Sequence, residues 1–505
     1  MSKLTLKQLE TILWNAADIL RGELSAAEYK DYVFGLLFLK RMNDEFEIER
    51  DLKRQEFISQ GMPDSEVAAL LEEPVIYENF FVPESARWDK LKNLTLNIGP
   101  ELDKAFKAIE DEPRNSELLG VLTTANYNDK ERVPDKKLSQ LLLLFDKVNL
   151  ASEKLENDDV LGDAYQYLIK TFANDGGAKG GEFYTPYEVR RLLVRILKPQ
   201  EGDRLYDPTV GSGGFLIESI RYIKEQGGNF KNTSLFGQEI NLSTWAICKM
   251  NMLFHNATGA DILKGDTIRE PQHTEGGVLK TFDKVLANPP FSLKNWGKEE
   301  VEADPFIRFP YGIPPKSYGD LAFVCHMVAS LNSKGNIGTV VPHGVLFRGG
   351  AEGNVRKGFL KDDLIEAVIG LPANIFYGTS IPAALLIINK DKPIERKDKV
   401  LFIDASKGFI KDGNKNKLRD EDIERIVQAF DKFENVDKFA TVVDRNTIEG
   451  HDYNLNISRY VDTTQEEEEV DIEAVLKDIR EINSKIDETE DKLNGYLKEL
   501  GFEEI

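Results

Sequence analysis

Apolar residues recur at helical spacing through the first third of the chain and in short strand-like runs through its middle. Leu4, Leu9, Ile12, Leu13 and Ala16 form one stripe, and Tyr32 to Leu39 a denser apolar run bounded by charge. Leu138, Leu141 to Phe145 and Val148 begin another, and Tyr165, Tyr167, Leu168, Ile169 and Phe172 a third. This spacing predicts an α-helical N-terminal domain, residues 1–174, whose work is packing or partner contact. The glycine cluster Gly176–Gly181 ends the pattern. Beyond it strands are expected at 204–206, 235–239, 285–287, 337–341, 365–369 and 384–388, with helices at 245–253 and 321–331 between them. Alternation of this kind predicts an α/β, doubly wound, mostly parallel sheet over 175–398. From about Asp391 the chain turns charged, with one more strand at 400–403, so 399–465 reads as a charged connecting region. The run Glu466–Glu469 marks a solvated break. After it Ile472, Val475, Ile479, Ile482, Ile486, Leu493 and Leu500 keep alternating three-four spacing, with Thr489 in the one polar slot. That is a coiled-coil seam, so 466–505 is expected to be a C-terminal helix for partner docking, or else a hairpin back onto its own domain.

Composition narrows the class. A chain of 505 residues, 41% hydrophobic and 30% charged, is that of a globular protein able to bury a large core. Cys248 and Cys325, the two cysteines, exclude a disulfide framework and a cysteine-rich metal site, and both lie in helical apolar patterns as core residues. His255, His273, His326, His343 and His451 show no ligand spacing, and no metal is expected. The opening Met1–Thr5 is no signal peptide and no apolar run is long enough to span a bilayer, so the cytoplasm is the expected location. A formal charge of −22 argues against this chain gripping a phosphate backbone tightly by itself. If it acts on nucleic acid, a basic partner supplies most of the hold.

The chemistry gathers at strand ends. Val285 to Ala287 run into Asn288–Pro289–Pro290–Phe291, where two prolines without N–H groups stop the ladder. A carboxamide then sits at the carboxyl end of a strand, where open α/β sheets bind ligands, with a flat ring just past it. The exocyclic amine of a heterocycle is a poor nucleophile because its lone pair is delocalised into the ring. Two acceptors, the Asn288 side-chain oxygen and the Pro289 carbonyl, can hydrogen-bond its two N–H protons, draw the nitrogen toward tetrahedral geometry and free that lone pair. Phe291 can stack on a planar base, a contact worth about 1–3 kcal/mol. Upstream, strand 204–206 enters Asp207–Pro208–Thr209–Val210–Gly211–Ser212–Gly213–Gly214, a tight glycine turn before a helix that lets a cofactor approach the backbone. Glu239 follows the second strand, placed to accept from both hydroxyls of an adenosine ribose, and Asp266 follows in a loop. Thr185 is placed to cap a helix that begins near Pro186.

These segments resemble a family. Asp207 to Leu216 and Asn288 to Phe291 are similar to the cofactor and catalytic motifs of S-adenosylmethionine-dependent amino-methyltransferases, the adenine-N6 DNA enzymes in particular. Gly181 to Pro186 resembles the element that closes over the methionine part of the cofactor, and its place before the glycine turn is the order of the group called gamma. The stretches 237–241, 341–347, 370–372 and 380–384 resemble the modification subunit of type I restriction-modification systems, and with both ends of the chain the likeness covers nearly its whole length. Val210 departs from the small residue or cysteine frequent at its position. The resemblance implies the S-adenosylmethionine-dependent methyltransferase fold and S-adenosyl-L-methionine as cofactor. It also implies duplex DNA as substrate, a DNA specificity subunit serving two copies of this chain, and an optional restriction subunit. Carried over residue by residue, Glu182, Phe183, Tyr184, Thr185, Pro186 and Tyr187 line the cofactor together with Asp207, Gly211, Ser212, Gly213 and Gly214. Glu239 takes the ribose and Asp266 sits near the cofactor adenine, while Asn288, Pro289, Pro290 and Phe291 handle a target adenine flipped from the duplex. A glutamine-N5 protein methyltransferase, which shares the Asn-Pro-Pro tip, and a non-catalytic scaffold of the same fold are the rival readings. The loop 295–317 is expected either to order over the substrate or to form a structured excursion. His343 reads as structural or catalytic, and Arg348, Arg356 and Lys357 as phosphate contacts or a solvated face.

Overall fold

The computed structural model describes residues 3–21, 24, 26–78, 80–156, 160–175, 185–376, 379, 381–413, 415–463 and 472–501. They fall into two compact units, Met1–Val461 and Asp462–Ile505. The first unit opens with helices α1 (Leu6–Leu20), α2 (Ala26–Ser59), α3 (Ile98–Glu110), α4 (Asp135–Phe145) and α5 (Val160–Asp175). Thr5 and Gln8 form a capping box at the start of α1, and the stripe residues Leu9, Leu13 and Ala16 are fully buried. Val33, Phe34, Leu36, Leu37 and Leu39 make the apolar run of α2 the centre of this helical core.

The α/β layer follows with α6 (Tyr187–Leu197), α7 (Gly214–Glu225), α8 (Leu242–Phe254), α9 (Asp320–Ala329), α10 (Gly350–Lys361) and α11 (Asp420–Lys432). Its strands are β1 (Arg204–Asp207), β2 (Ser234–Glu239), β3 (Asp261–Lys264), β4 (Phe282–Ala287), β5 (Leu331–Pro342), β6 (Ile365–Gly370), β7 (Ala383–Asn389), β8 (Lys399–Asp404) and β9 (Ala440–Asp444). They form one sheet in the order β9-β8-β6-β7-β5-β4-β1-β2-β3. From β3 through β5 every pairing is parallel; β7 runs antiparallel between β5 and β6, and β9 antiparallel to β8 at the edge. The expected doubly wound, mostly parallel sheet is therefore present, extended by one antiparallel insertion and one antiparallel edge.

Register places the chemistry. Tyr206 lies opposite Val285, Asp207 opposite Gly237 and Glu239 opposite Lys264, so the carboxyl ends of β4, β1, β2 and β3 stand in a row. Asn288, Asp207, Glu239 and Asp266 sit at or just past those four ends.

Residues 399–461 hold more of the sheet than a connecting region would. Val400 to Ile403 are buried in β8, while β9 alternates with partly exposed positions as an edge strand does and left little apolar signal. The helical front also shares its core with the sheet layer, since Ala246, Ile247, Met250 and Phe254 of α8 pack in the same cluster as α2. The 295–317 segment is a structured excursion. Trp296 is 1% exposed and its Nε1 donates to Pro315 O at 3.0 Å. The Arg308 guanidinium pairs with Asp304 at 2.7 Å, both side chains buried, and donates onward to the carbonyls of Ile268 (2.9 Å) and Thr267 (3.3 Å). In the second unit α12 (Ile472–Glu499) is a helix on which Ile479, Ile482, Ile486 and Leu493 are all exposed. No helix among the described residues is long and apolar enough to cross a membrane.

Removing one member of a buried ion pair strands the other charge. Asp304→Ala is expected to destabilise the first unit by about 3–5 kcal/mol in chemical denaturation; a loss below about 1 kcal/mol would show that the pair does not hold this excursion.

Candidate functional site

A cavity of ≈ 580 Å³ opens at the carboxyl ends of β4, β1, β2 and β3. Its floor is the glycine turn between β1 and α7. Gly211 and Gly213 take φ of 54° and 83°, left-handed values that glycine adopts without strain. Val210 is accommodated because β2 carries glycine opposite: a Cβ on Gly237 would come within 2.8 Å of Val210 Cγ2. The Glu239 carboxylate holds the turn from β2, accepting from Gly211 N at 3.1 Å and from Asn241 N at 2.8 Å.

Burial sets the electrostatics of this floor. Asp207 is 1% exposed, and desolvation pushes its carboxyl up to about 8, against the opposing hydrogen bond from Thr209 N and with help from the charge of Glu239. Desolvation also raises Glu239, partly offset by the amides of Asn241 and Gly211. Asp266 is engaged within its own loop, accepting from Ile268 N at 2.9 Å and Arg269 N at 3.0 Å and pairing with the Arg269 guanidinium at 2.8 Å.

The far wall is the tip at the end of β4. Asn288 Nδ2 donates to Thr185 Oγ1 at 3.1 Å. Asn288 Oδ1 is buried and has no hydrogen-bond partner among the described residues. A buried acceptor left in that state costs about 1–3 kcal/mol and is matched to a ligand that donates. Thr185 does not cap its helix: α6 starts at Tyr187 with Pro186 in the capping position, and the threonine hydroxyl accepts from Asn288. Past the tip the chain turns at Ser292, whose φ is 52° and whose amide is held by buried Asp320 at 2.8 Å.

Of the residues singled out by sequence, Thr185, Asp207, Gly211, Ser212, Gly214, Glu239, Asp266, Asn288 and Pro290 line the cavity. Gly213 stands behind this lining: a Cβ there would meet Met252 and Cys248 of α8, so its role is close packing. Pro186, Tyr187, Pro289 and Phe291 are not among the lining residues, and Phe291 turns its ring edge-on to Phe376 at 5.8 Å. Glu182, Phe183 and Tyr184 lie outside the described residues. Cys248 and Cys325 are buried free thiols, raised by desolvation. His343 is not part of the lining; its amide donates to Pro382 O at 3.1 Å and burial lowers its imidazole. Arg356 is neither a phosphate contact nor solvated: it is 3% exposed and donates to the carbonyls of Val345, Arg348 and Tyr453. Arg348 is paired with Glu352 at 2.5 Å and Asp320 at 3.4 Å. Lys357 is exposed over the Tyr453 ring.

The sequence reading missed a wall contributed by the helical front. Lys30 and Asp31 of α2 line the cavity, Lys30 at 8% exposure, and Asp31 accepts from Ser243 Oγ at 2.9 Å. Burial pulls the Lys30 ammonium down and pushes the Asp31 carboxyl up. The signal was present as a charged pair set directly before the apolar run from Tyr32. Thr267, Trp296 and Phe323 complete the lining on the side of the excursion.

Comparison with known proteins agrees with this geometry. Residues 156–469 match the N-6 DNA Methylase family and residues 9–145 the HsdM N-terminal domain. The MjaVIII methylase subunit of a type I restriction enzyme from Methanocaldococcus jannaschii is 32% identical, across 99% of this chain and 86% of that protein. The MpnII methylase subunit from Mycoplasma pneumoniae is 30% identical, across 97% and 96%. Among solved structures, a type I restriction-modification system methyltransferase subunit from Streptococcus thermophilus superposes with a TM-score of 0.80 at 33% identity, covering 91% of this chain and 100% of its own. With a strand-end carboxamide facing a glycine-turn cavity and these relatives matching it along nearly its whole length, this chain belongs to the N-6 DNA methylase family, among the type I restriction-modification methylase subunits, and is an adenine-specific DNA methyltransferase.

Proposed function

We propose that this chain moves a methyl group from S-adenosyl-L-methionine to N6 of an adenine flipped out of duplex DNA, with Asn288 as the residue that makes the amine reactive. The observation that carries this reading is the buried, unpartnered Oδ1 of Asn288, aimed by the bond from its Nδ2 to Thr185. The cavity suits the cofactor: a glycine turn with exposed backbone on its floor, a carboxylate on β2 for the ribose hydroxyls, and Asp266 and Thr267 at the adenine end. When bound, the cofactor supplies an electrophilic methyl group on a sulfonium. The protein's share is to present the amine to it. Asn288 Oδ1 and the Pro289 carbonyl accept hydrogen bonds from the two N–H groups of the adenine amine, which localises the lone pair on nitrogen. Phe291, braced by Phe376, offers an aromatic surface to the flipped base, and stacking of about 1–3 kcal/mol offsets part of the flipping cost. Transfer is direct, and no protein nucleophile takes part.

The assembly follows from charge and from the C-terminal helix. A chain of −22 needs a basic partner to hold DNA, and α12 offers an apolar seam for one. We assign that seam to a DNA specificity subunit shared by two copies of this chain, with a restriction subunit as an optional addition, all working in the cytoplasm. The glutamine-N5 and scaffold readings are not favoured, since the relatives matched across the chain are DNA methylase subunits.

Asn288→Ala should lower transfer of labelled methyl to DNA by roughly 100- to 1,000-fold, the scale of losing one preorganised polar contact to a reacting group, with cofactor affinity within about twofold. Thr185→Val should cost roughly tenfold, about 1.4 kcal/mol, and Thr185→Ser should restore most of it. Near-normal turnover in Asn288→Ala would overturn the assignment. Deleting residues 472–505 should leave the melting temperature of the first unit unchanged while abolishing co-purification with the specificity subunit; retained assembly would remove the seam from the account.

Asp207 gives a pH dependence. Its carboxyl is raised to about 8, so it is largely protonated at neutral pH in the free protein. A bound sulfonium favours the ionised form, so binding releases a proton and affinity rises with pH until about 8, then levels off. Calorimetric titration with S-adenosylmethionine across that pH should show the rise, and Asp207→Asn should flatten it. A wild-type affinity independent of pH would contradict the role given to this carboxyl.

A further inference from the structure

Asp31 stands directly before the apolar run of α2 and lines the cavity, although it belongs to the helical front. Its place is fixed from two directions. Asp31 Oδ1 accepts from Ser243 Oγ at 2.9 Å, in the first turn of α8. The next residue, Tyr32, is locked into the helical core: its carbonyl accepts from the Tyr127 hydroxyl at 2.9 Å, and its own hydroxyl donates to Asn126 O at 3.0 Å. Asp31 Oδ2 takes no hydrogen bond among the described residues, which leaves it for a donor in the cavity. Burial raises this carboxyl, against the charge of Lys30 and the bond from Ser243. A neutral side chain would tie α2 to α8 without the cost of desolvating a charge, so the carboxylate calls for a further partner.

The neighbouring wall says which part of a ligand it meets. Ser243 follows shortly after Glu239, and Asn241 between them holds both sides of the link. The Asn241 amide donates to Glu239 Oε1 at 2.8 Å, and its Oδ1 caps α8 by accepting from Thr244 N at 3.0 Å. Asp31 and Glu239 are thereby set on one wall of the cavity, and Glu239 is the carboxylate assigned to the ribose.

We propose that Asp31 is a second cofactor-binding carboxylate, sharing the vicinal hydroxyls of the adenosine ribose with Glu239, so that the cofactor joins the helical front to the sheet. The inference rests on the S-adenosyl-L-methionine reading above and adds to it a binding residue from outside the α/β layer. A ribose brings two neighbouring hydroxyl donors. Glu239 already accepts one backbone amide on each oxygen, from Gly211 and from Asn241, whereas Asp31 Oδ2 keeps its full accepting capacity. Bonds to an ionised acceptor are roughly twice as strong as neutral ones. An acceptor held in place before the ligand arrives also spares the cost of ordering it on binding.

The test is calorimetric binding of S-adenosylhomocysteine, and of its 2′-deoxy and 3′-deoxy forms, to the full-length chain and to its Asp31→Ala variant. Losing a hydrogen bond to a charged group should weaken S-adenosylhomocysteine roughly 10- to 100-fold in the variant. For at least one deoxy form the loss should shrink to within about threefold, because that ligand already lacks the hydroxyl that Asp31 holds. An unchanged affinity for S-adenosylhomocysteine in the variant would overturn the proposal. A loss of the same size for all three ligands would overturn it too, as the mark of a tie that shapes the wall without touching the ribose. Should the alanine variant fail to fold, Asp31→Asn carries the same comparison: an uneven loss across the three ligands supports the contact, and an even loss or none overturns it. A wild-type chain that binds none of the three would remove the cofactor reading and this assignment together. Binding by wild type with an even loss in the variant would remove this assignment alone.

Discussion

The site depends on a carboxamide whose two ends face different demands. In water the Asn288 side chain would satisfy both. Here its nitrogen is held by Thr185 and its oxygen is kept dry and without a partner. That state costs free energy, and it persists because the surroundings leave no alternative. β4 is buried along Val285, Leu286 and Ala287, Pro289 and Pro290 fix the backbone after the asparagine, and buried Asp320 holds the left-handed turn at Ser292. Asp320 is itself steadied by Arg348, which is paired with buried Glu352. Arg348, read from sequence as a phosphate contact or a solvated face, therefore works one layer behind the tip.

The same principle ties the rest of the first unit to the cavity. Arg308 reaches from the excursion to the carbonyls of Thr267 and Ile268, just after Asp266, so the segment beyond Phe291 is tied to the loop that carries Asp266. Lys30 and Asp31 bring the helical front into the cavity wall, and its core runs without a break into α8. A helical domain expected to serve packing or partner contact thus shares in the cavity wall.

Much of this was legible in the sequence, for physical reasons. Strands buried on both faces read as apolar runs, and prolines announced where β4 stops. The row of Asn288, Asp207, Glu239 and Asp266 followed from their common place after strands, which the parallel register turns into neighbours in space. Less legible were features that depend on distant partners. Thr185 has the sequence look of a helix cap, and only the approach of Asn288 from 103 residues away engages its hydroxyl otherwise. Gly213 has the look of a cofactor glycine, yet its missing Cβ makes room for Met252 and Cys248. β9 was hidden because an edge strand shows a mixed pattern, and Lys30 and Asp31 because a charged pair on a helix normally lies in solvent.

The central claim is that Asn288 presents its oxygen, and not its nitrogen, to the amine being methylated. The most direct measurement is a high-resolution structure of the complex with duplex DNA carrying the target adenine and a non-reactive cofactor analogue. The account predicts Asn288 Oδ1 and the Pro289 carbonyl within about 3 Å of adenine N6, with Nδ2 still on Thr185. A flipped adenine bound with Asn288 turned away from N6, or with its nitrogen facing the amine, would contradict it.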